Sequence, residues 1–175
     1  ICPNNAIAVL SGPTFAHEVA AGMPTAITLA CADEIIDAQL MQLVAAPAFR
    51  PYWSDDVVGA EIGGAVKNVL AMGCGVGGGA GLGLNARAAL IARGFTEMQR
   101  YGLARGAKAE TLAGLSGLGD LVLTCSSENS RNFALGRGLG QGKSAAEMLA
   151  DRRTVAEGAS TAPVLLQSAK VLGVD

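Results

Sequence analysis

The sequence predicts an α/β segment followed by an all-helical region, and three observations indicate this arrangement. Strand-like and helix-like stretches alternate over the first 58 residues, which is typical of α/β proteins. From residue 59 onward, apolar residues recur at helical spacing and no convincing strand interrupts them. Hydrophobic residues make up 50% of the chain but aromatic residues only 4%, so the core must be built from aliphatic side chains.

The α/β segment contains three strands and two helices. The strands are predicted at residues 6–10, 25–31 and 49–53, and the helices at residues 15–21 and 33–45. A Ser-Gly-Pro turn at residues 11–13 closes the first strand, and Asp33 is expected to cap the second helix. Because 58 residues are too few for a complete doubly wound domain, we interpret them as the closing strands and helices of a larger Rossmann-like sheet.

The rest of the chain is predicted to be helical, at residues 61–72, 85–102, 109–115, 118–125, 130–139, 144–149 and 161–172. We therefore expect the C-terminal part of a dinucleotide-binding domain over residues 1–58. A helical substrate-binding and catalytic domain is expected over residues 59–175. The chain begins with Ile1 and stops just after a helical pattern, so we expect both ends to be cut from a longer protein.

Charge and composition argue against several classes of partner. The net charge of −2 gives no general attraction to nucleic acid or to an anionic membrane. Lys67, Asn68 and several glycines interrupt the most apolar stretch, so no membrane-spanning helix is expected. The four cysteines form no CxxC pair and the chain has one histidine, so no metal site is expected. Sparse cysteines of this kind indicate buried thiols in a reducing compartment, hence a cytoplasmic protein.

A glycine-rich stretch at residues 73–78 matches the dinucleotide fingerprint GxGxxG. That fingerprint binds pyrophosphate only where it joins a strand to a helix, whereas here a helical pattern precedes it. We therefore interpret this stretch as a flexible connection between two helices.

Lys67 is the first candidate for chemistry. It lies in EIGGAVKNVL (residues 61–70), a helical stretch that is otherwise largely apolar. Loss of hydration disfavours the charged ammonium, which makes such a lysine a candidate general base. The alternative is that Lys67 snorkels, with its stem on apolar surface and its ammonium in water.

Ser130-Arg131-Asn132 is the second candidate. Ser130 is a good N-cap, and the first-turn amides of a helix form a natural anion site. Arg131 would add a bidentate grip on phosphate. The alternative is a capped helix with a solvated arginine.

Two acidic residues and one turn are further candidates for ligand binding. Asp120 lies among aliphatic residues, so it needs a partner such as a lysine or a substrate hydroxyl; the alternative is that it caps a helix. Glu157 either contacts a ligand or lies in a turn. The segment from Ser11 to Thr14 follows a strand end, where open α/β sheets bind ligands; the alternative is an ordinary turn.

Six motifs together resemble the bacterial-type NAD(P)-dependent glycerol-3-phosphate dehydrogenases. They are LSGPTFA (10–16), EIGGAVKN (61–68), GLNARA (83–88), GLGDLVLTC (117–125), SRN (130–132) and VAEG (155–158). They occur in the family's order with fitting intervals and span nearly the whole chain.

The resemblance implies an activity and a set of site residues. The family reduces dihydroxyacetone phosphate to sn-glycerol 3-phosphate with NADPH or NADH, which supplies phospholipid precursors. Lys67 matches the family's proton acceptor. The positions that match those binding glycerol 3-phosphate are Gly12, Thr14, Lys67, Asp120, Ser130, Arg131 and Asn132. The positions that match those touching the cofactor are Ala16, Arg131, Val155 and Glu157.

The same resemblance limits the activity that we expect of the isolated chain. The family's N-terminal Rossmann portion is absent from it, so we expect the isolated chain to turn over poorly. A homodimer is compatible with the resemblance. Two alternatives are another two-domain dehydrogenase, of the 6-phosphogluconate or hydroxyacid type, and a non-catalytic helical dimerisation module.

Overall fold

The computed structural model describes residues 5–149 and 156–174, which form a small sheet followed by a mostly helical region. The strands are β1 (Ala8–Ser11), β2 (Thr25–Cys31) and β3 (Phe49–Ser54). The helices are α1 (Ala16–Ala20), α2 (Glu34–Val44), α3 (Val57–Gly79), α4 (Gly83–Ala104), α5 (Ala109–Ala113), α6 (Asp120–Ser126), α7 (Arg131–Gly140), α8 (Ala145–Leu149) and α9 (Glu157–Leu172). A π-helical segment, Leu115–Gly119, leads into α6.

The sheet has the order β1-β2-β3, with β2 in the centre. β1 pairs with β2 antiparallel, with Ala8 opposite Cys31, and β3 pairs with β2 parallel, with Thr25 opposite Phe49. The central strand is buried, as its run of apolar residues predicts. Asp33 caps α2 as expected, because its carboxylate accepts hydrogen bonds from two main-chain amides of the first turn.

The predicted fold class, a sheet remnant followed by a helical region, is confirmed. β3 ends at Ser54 and α3 begins at Val57, so the change from sheet to helices falls near the expected place. The assignment of residues 1–58 and 59–175 to separate domains stays a prediction.

Several helix bounds differ from those predicted, and the largest difference concerns α3. This helix continues to Gly79, so the prediction of a flexible connection at residues 73–78 is wrong. Glycine disfavours an isolated helix by about 1 kcal/mol relative to alanine, but tertiary packing overrides that preference here. α9 also begins one turn earlier than predicted, at Glu157.

Helix α3 is the central helix of the helical region. By length and composition alone α3 would be able to cross a membrane, a test that buried core helices also pass, although Lys67 and Asn68 led us to expect no such helix. In the structure α3 packs against α4, α6, α7 and α9. Ala71 and Cys74 on α3 are almost completely buried against Met98, Leu112 and Leu121 of its neighbours.

Glycines bring α3 and α7 into direct main-chain contact. They are spaced four residues apart on both helices, at Gly75 and Gly79 on α3 and at Gly136 and Gly140 on α7. A Cβ atom at any of the four would overlap a main-chain oxygen of the facing helix, namely that of Phe133, Arg137, Met72 or Val76 respectively. The glycine-rich stretch therefore serves helix packing, because side chains at these positions would hold the two helices apart.

Two further glycines bring the main chain of α3 close to other elements. A Cβ on Gly63 would overlap the main-chain oxygen of Ser116 in the π-helical segment. A Cβ on Gly158, at the start of α9, would lie 2.7 Å from the main-chain oxygen of Asn68. The main chain of α3 thus contacts three neighbours directly: the π-helical segment, α7 and α9.

Asp56 anchors the beginning of α3. Its buried carboxylate accepts a hydrogen bond of 2.8 Å from the amide of Gly59 and one of 2.7 Å from the amide of Lys108. The neighbouring Asp55 pairs with the Lys108 ammonium, which holds the pKa of that aspartate below its usual value. This cluster ties the first turn of α3 to the start of α5.

Replacing Gly75 by alanine tests the close contact between α3 and α7. We expect Gly75→Ala to lower the free energy of unfolding by about 1–3 kcal/mol, because the helices must separate to admit the methyl group. Chemical denaturation followed by circular dichroism measures the change.

Gly77→Ala is the matched control on the same helix. Its added Cβ would lie 3.7 Å from Leu82, an ordinary contact, so the better helix former should leave stability unchanged or raise it by about 0.5–1 kcal/mol. Equal effects of the two substitutions would contradict the packing described for α3 and α7.

Candidate functional site

A cleft of about 750 Å³ opens between the end of β1 and the helical region. Its walls come from the β1–α1 turn, from α3 and α6, and from the first turns of α7 and α9. The sequence-predicted site residues that line it are Gly12, Thr14, Ala16, Lys67, Asp120, Ser130, Arg131, Asn132 and Glu157. Val155, the remaining one, lies outside the described residues.

Lys67 and Asp120 form an ion pair at the wall of this cleft. Lys67 comes from the middle of α3. Asp120 is the first residue of α6 and directly follows the π-helical segment, which contacts α3 at Gly63. The Asp120 side chain is 4% exposed, whereas the Lys67 side chain is 21% exposed and borders the cleft. Lys67 therefore does not snorkel into bulk water, and Asp120 does not occupy the N-cap position of α6, where Gly119 lies.

Thr124 completes this group from the next turn of α6. Its hydroxyl donates a hydrogen bond of 3.1 Å to Oδ1 of Asp120, while Lys67 contacts Oδ2. Burial raises the pKa of Asp120, and the Lys67 ammonium and the Thr124 hydroxyl act in the opposite direction. Lys67 and Thr124 therefore favour the ionised form of the Asp120 carboxylate, which burial disfavours.

The first turn of α7 forms the facing part of the cleft. Ser130 caps the helix, because its hydroxyl accepts a hydrogen bond of 3.2 Å from the amide of Phe133. The next residue, Arg131, has a side chain that is 56% exposed and donates a hydrogen bond of 3.2 Å to Glu157. Cationic and amide donors thus meet at the positive end of a helix.

Asn132 is buried and joins three helices. Its Nδ2 donates to Oδ1 of Asn68 on α3 at 3.0 Å, and its Oδ1 accepts from the amide of Gly158 on α9 at 2.9 Å. Asn68 in turn donates to the carbonyl of Gly64 at 3.1 Å. These bonds fix the first turns of α7 and α9 relative to the turn of α3 that carries Lys67.

The β1–α1 turn closes the cleft from the side of the sheet. The Thr14 hydroxyl donates to the carbonyl of Gly12 at 3.0 Å, which holds the turn in shape. Gly12 packs tightly on β2, since a Cβ there would lie 3.1 Å from Cγ1 of Ile27. Ala16 follows as the first residue of α1.

Sequence reasoning missed Asn68, Thr124 and His17, which also line the cleft. Asn68 directly follows Lys67, and Thr124 lies four residues after Asp120 on the same helix face, so helical spacing was a usable signal for Thr124. His17 stands on α1, with its ring stacked on Phe15 at 5.8 Å.

The arrangement suits proton transfer next to an anion. An ammonium–carboxylate pair lies on one part of the wall, and a capped helix N-terminus with an arginine lies on another. Across residues 5–149 and 156–174, no three side chains of histidine, cysteine, aspartate or glutamate are grouped to hold a metal ion.

Two family models match the chain. The model of the C-terminal part of NAD-dependent glycerol-3-phosphate dehydrogenase matches residues 56–175. The model of the N-terminal part of the same family matches residues 1–37.

Curated relatives show the same likeness at high identity. The chain is 70% identical to the glycerol-3-phosphate dehydrogenase [NAD(P)+] of Erythrobacter litoralis over 174 residues, which is 99% of this chain and 53% of the relative. It is 62% identical to the enzyme of the same name from Zymomonas mobilis, over 100% of this chain and 52% of the relative. The chain therefore spans about half the length of the curated relatives it matches.

Solved structures agree with the sequence comparison. The glycerol-3-phosphate dehydrogenase of Coxiella burnetii superposes with a TM-score of 0.94 at 43% identity, over 97% of this chain and 52% of that chain. The enzyme from Saccharomyces cerevisiae superposes with a TM-score of 0.83 at 30% identity, over 94% and 50%. On these matches, the chain belongs to the NAD-dependent glycerol-3-phosphate dehydrogenase family.

Proposed function

We propose that the full-length protein containing this chain interconverts dihydroxyacetone phosphate and sn-glycerol 3-phosphate with NADPH or NADH. The observation that carries the proposal is the single cleft shared by the Lys67–Asp120 pair and the first turn of α7. The substrate is a small phosphate ester, and a cleft with a proton-transfer group and an anion-binding helix end has the chemistry that such a substrate requires.

The phosphate group is assigned to the first turn of α7. The helix dipole and the amides of that turn favour an anion, and the Arg131 guanidinium supplies charged donors beside them. Ser130 and Asn132 shape this end of the cleft through the cap and the buried contacts to α3 and α9. Gly12 and Thr14 are assigned to the substrate side of the β1–α1 turn.

Lys67 is assigned the proton transfer. In the reduction, its ammonium donates a proton to the substrate carbonyl oxygen as negative charge develops there, and in the oxidation the neutral amine accepts the hydroxyl proton. Asp120 positions the Lys67 nitrogen and compensates its charge, while Thr124 positions Asp120. A bound nicotinamide supplies or accepts the hydride.

The cofactor is assigned to Ala16, Arg131 and Glu157, together with Val155. The half-exposed Arg131 and Glu157 side chains offer charged donors and a carboxylate acceptor at the cleft wall, which suit the polar groups of a nicotinamide ribonucleotide. The small Ala16 leaves room on the facing turn. Cofactor phosphates would bind to the part of the family fold that this chain does not include.

The proposed activity also implies a compartment and a metabolic role. We assign the enzyme to the cytoplasm and to phospholipid precursor supply, and Cys31, Cys74 and Cys125 as buried free thiols agree with a reducing compartment. We also propose that the full-length protein forms a homodimer. The isolated chain should turn over poorly, because the nucleotide-binding portion of the family is needed to hold the cofactor.

Replacing Lys67 by alanine tests the proton transfer. A full-length enzyme is made by placing this chain over the matching 174 residues of the Erythrobacter litoralis relative. We expect Lys67→Ala to lower kcat by about 10²–10⁴-fold, the usual contribution of a general acid–base group. Reduction of dihydroxyacetone phosphate is followed by the absorbance of NADPH.

Lys170→Ala is the control, since Lys170 is an exposed lysine on α9 outside the cleft. It should keep the wild-type rate. Full activity of the Lys67 variant would favour a non-catalytic helical module over an enzyme.

Replacing Arg131 by alanine tests the phosphate assignment. Charge-assisted hydrogen bonds contribute about 1.5–3 kcal/mol, so KM for dihydroxyacetone phosphate should rise by about 10- to 100-fold. Arg137→Ala on the same helix, where the arginine pairs with Glu128 outside the cleft, should leave KM unchanged. Equal values of KM in the two variants would refute the assignment.

Replacing Asp120 by asparagine tests its positioning of Lys67. Asparagine keeps the shape but removes the charge, so kcat should fall by about 10²-fold with little change in KM. Asp37→Asn on α2 is the matched control, because burial raises the pKa of Asp37 as well and the residue lies outside the cleft. A change confined to KM would assign Asp120 to binding instead.

A further inference from the structure

The charged side chains that line the cleft cancel one another. Among the described lining residues, Lys67 pairs with Asp120 and Arg131 pairs with Glu157, so the formal charge is zero when His17 is neutral. A cleft that takes a phosphate ester gains affinity from unpaired positive charge. The pairing of Arg131 is therefore unexpected, because Glu157 neutralises its charge and occupies one of the five N–H donors of the guanidinium.

Glu157 is held at this place by its main chain. The amide of the next residue, Gly158, donates to the buried Asn132 side chain at 2.9 Å. The carbonyl of Glu157 accepts from the hydroxyls of Ser160 and Thr161, both at 2.9 Å. Because its main chain is fixed, the Glu157 carboxylate can leave Arg131 only by rotation of its own side chain.

The contact between the two side chains is weak enough for a ligand to break. Arg131 and Glu157 are 56% and 49% exposed and meet through one hydrogen bond of 3.2 Å. Exposed pairs of this kind contribute little to stability. A phosphate dianion offers more charge and more acceptor oxygens than the single contacting carboxylate oxygen.

We infer that Glu157 competes with the substrate phosphate for Arg131 and so keeps the affinity for phosphate esters moderate. The inference rests on the proposed function of this cleft. When the ester binds, Arg131 exchanges the Glu157 carboxylate for the phosphate. When the ester leaves, Glu157 takes Arg131 back. Glu157 thus sets substrate affinity without touching the reacting atoms.

Calorimetric titration of the full-length protein with sn-glycerol 3-phosphate, without cofactor and at low ionic strength, tests the inference. Glu157→Gln keeps the size and the hydrogen-bond acceptor but removes the charge. It should bind the ester roughly five-fold more tightly than the wild type, from the loss of an exposed ion pair. High salt should shrink the gain, because salt screens exposed charges.

Glu128→Gln is the matched control, since Glu128 pairs with Arg137 of the same helix α7 outside the cleft. It should bind the ester as the wild type does. In an Arg131→Ala background, the gain from Glu157→Gln should disappear; a gain that persists there would show direct repulsion rather than competition and would overturn the inference.

The remaining outcomes separate this inference from the proposed function. Unchanged or weaker binding by Glu157→Gln overturns the inference alone, provided that the wild type binds the ester and Arg131→Ala weakens binding. A wild-type protein that binds no sn-glycerol 3-phosphate overturns the inference, and one that also fails to reduce dihydroxyacetone phosphate with NADPH or NADH overturns the proposed function as well.

Discussion

The close approach of the α3 main chain to three neighbours is the constraint on which the site depends. Glycines permit this contact with the π-helical segment at Gly63, with α7 at Gly75 and Gly79, and with α9 at Gly158. Each contact positions one part of the cleft: Asp120 after the π-helical segment, Arg131 at the start of α7 and Glu157 at the start of α9. Lys67 lies on α3 itself, so this one helix carries Lys67 and contacts the elements that carry the other groups.

The two ion pairs of the site differ in their burial. Asp120 is buried, and it is positioned by Lys67 and Thr124, which suits a group that holds a proton donor at one place. Arg131 and Glu157 are half exposed and joined by one hydrogen bond, which suits groups that exchange partners with a ligand. The rigid pair thus lies where we place the chemistry, and the exchangeable pair lies where we place the phosphate.

Local rules were sufficient for part of the fold and for part of this site. Ser130 as an N-cap and Asp33 as the cap of α2 follow from capping chemistry, and the structure contains both contacts. Placement of Lys67, Asp120 and Arg131 around one cleft followed from the resemblance, because periodicity within one helix carries no information about which helices meet.

Other features were beyond sequence reasoning for identifiable reasons. Residues 73–78 favour a loop by propensity, and their helical conformation depends on tertiary packing, including the close contact with α7 through the glycines of both helices. The buried bonds of Asn132 require α9 to be in place, so its link to Gly158 could not be expected from the motif alone. The ion pair between Arg131 and Glu157 joins residues 26 positions apart, and nothing in either motif indicates it.

A crystal structure of the full-length protein with bound sn-glycerol 3-phosphate would show whether the phosphate and the reacting hydroxyl lie where we place them. We predict that phosphate oxygens lie within hydrogen-bond distance of Arg131 and of the first-turn amides of α7. We also predict that the carbon 2 hydroxyl lies within hydrogen-bond distance of the Lys67 nitrogen, with α3 and α7 still in contact at their glycines. A phosphate bound away from α7, or a hydroxyl out of reach of Lys67, would contradict the account.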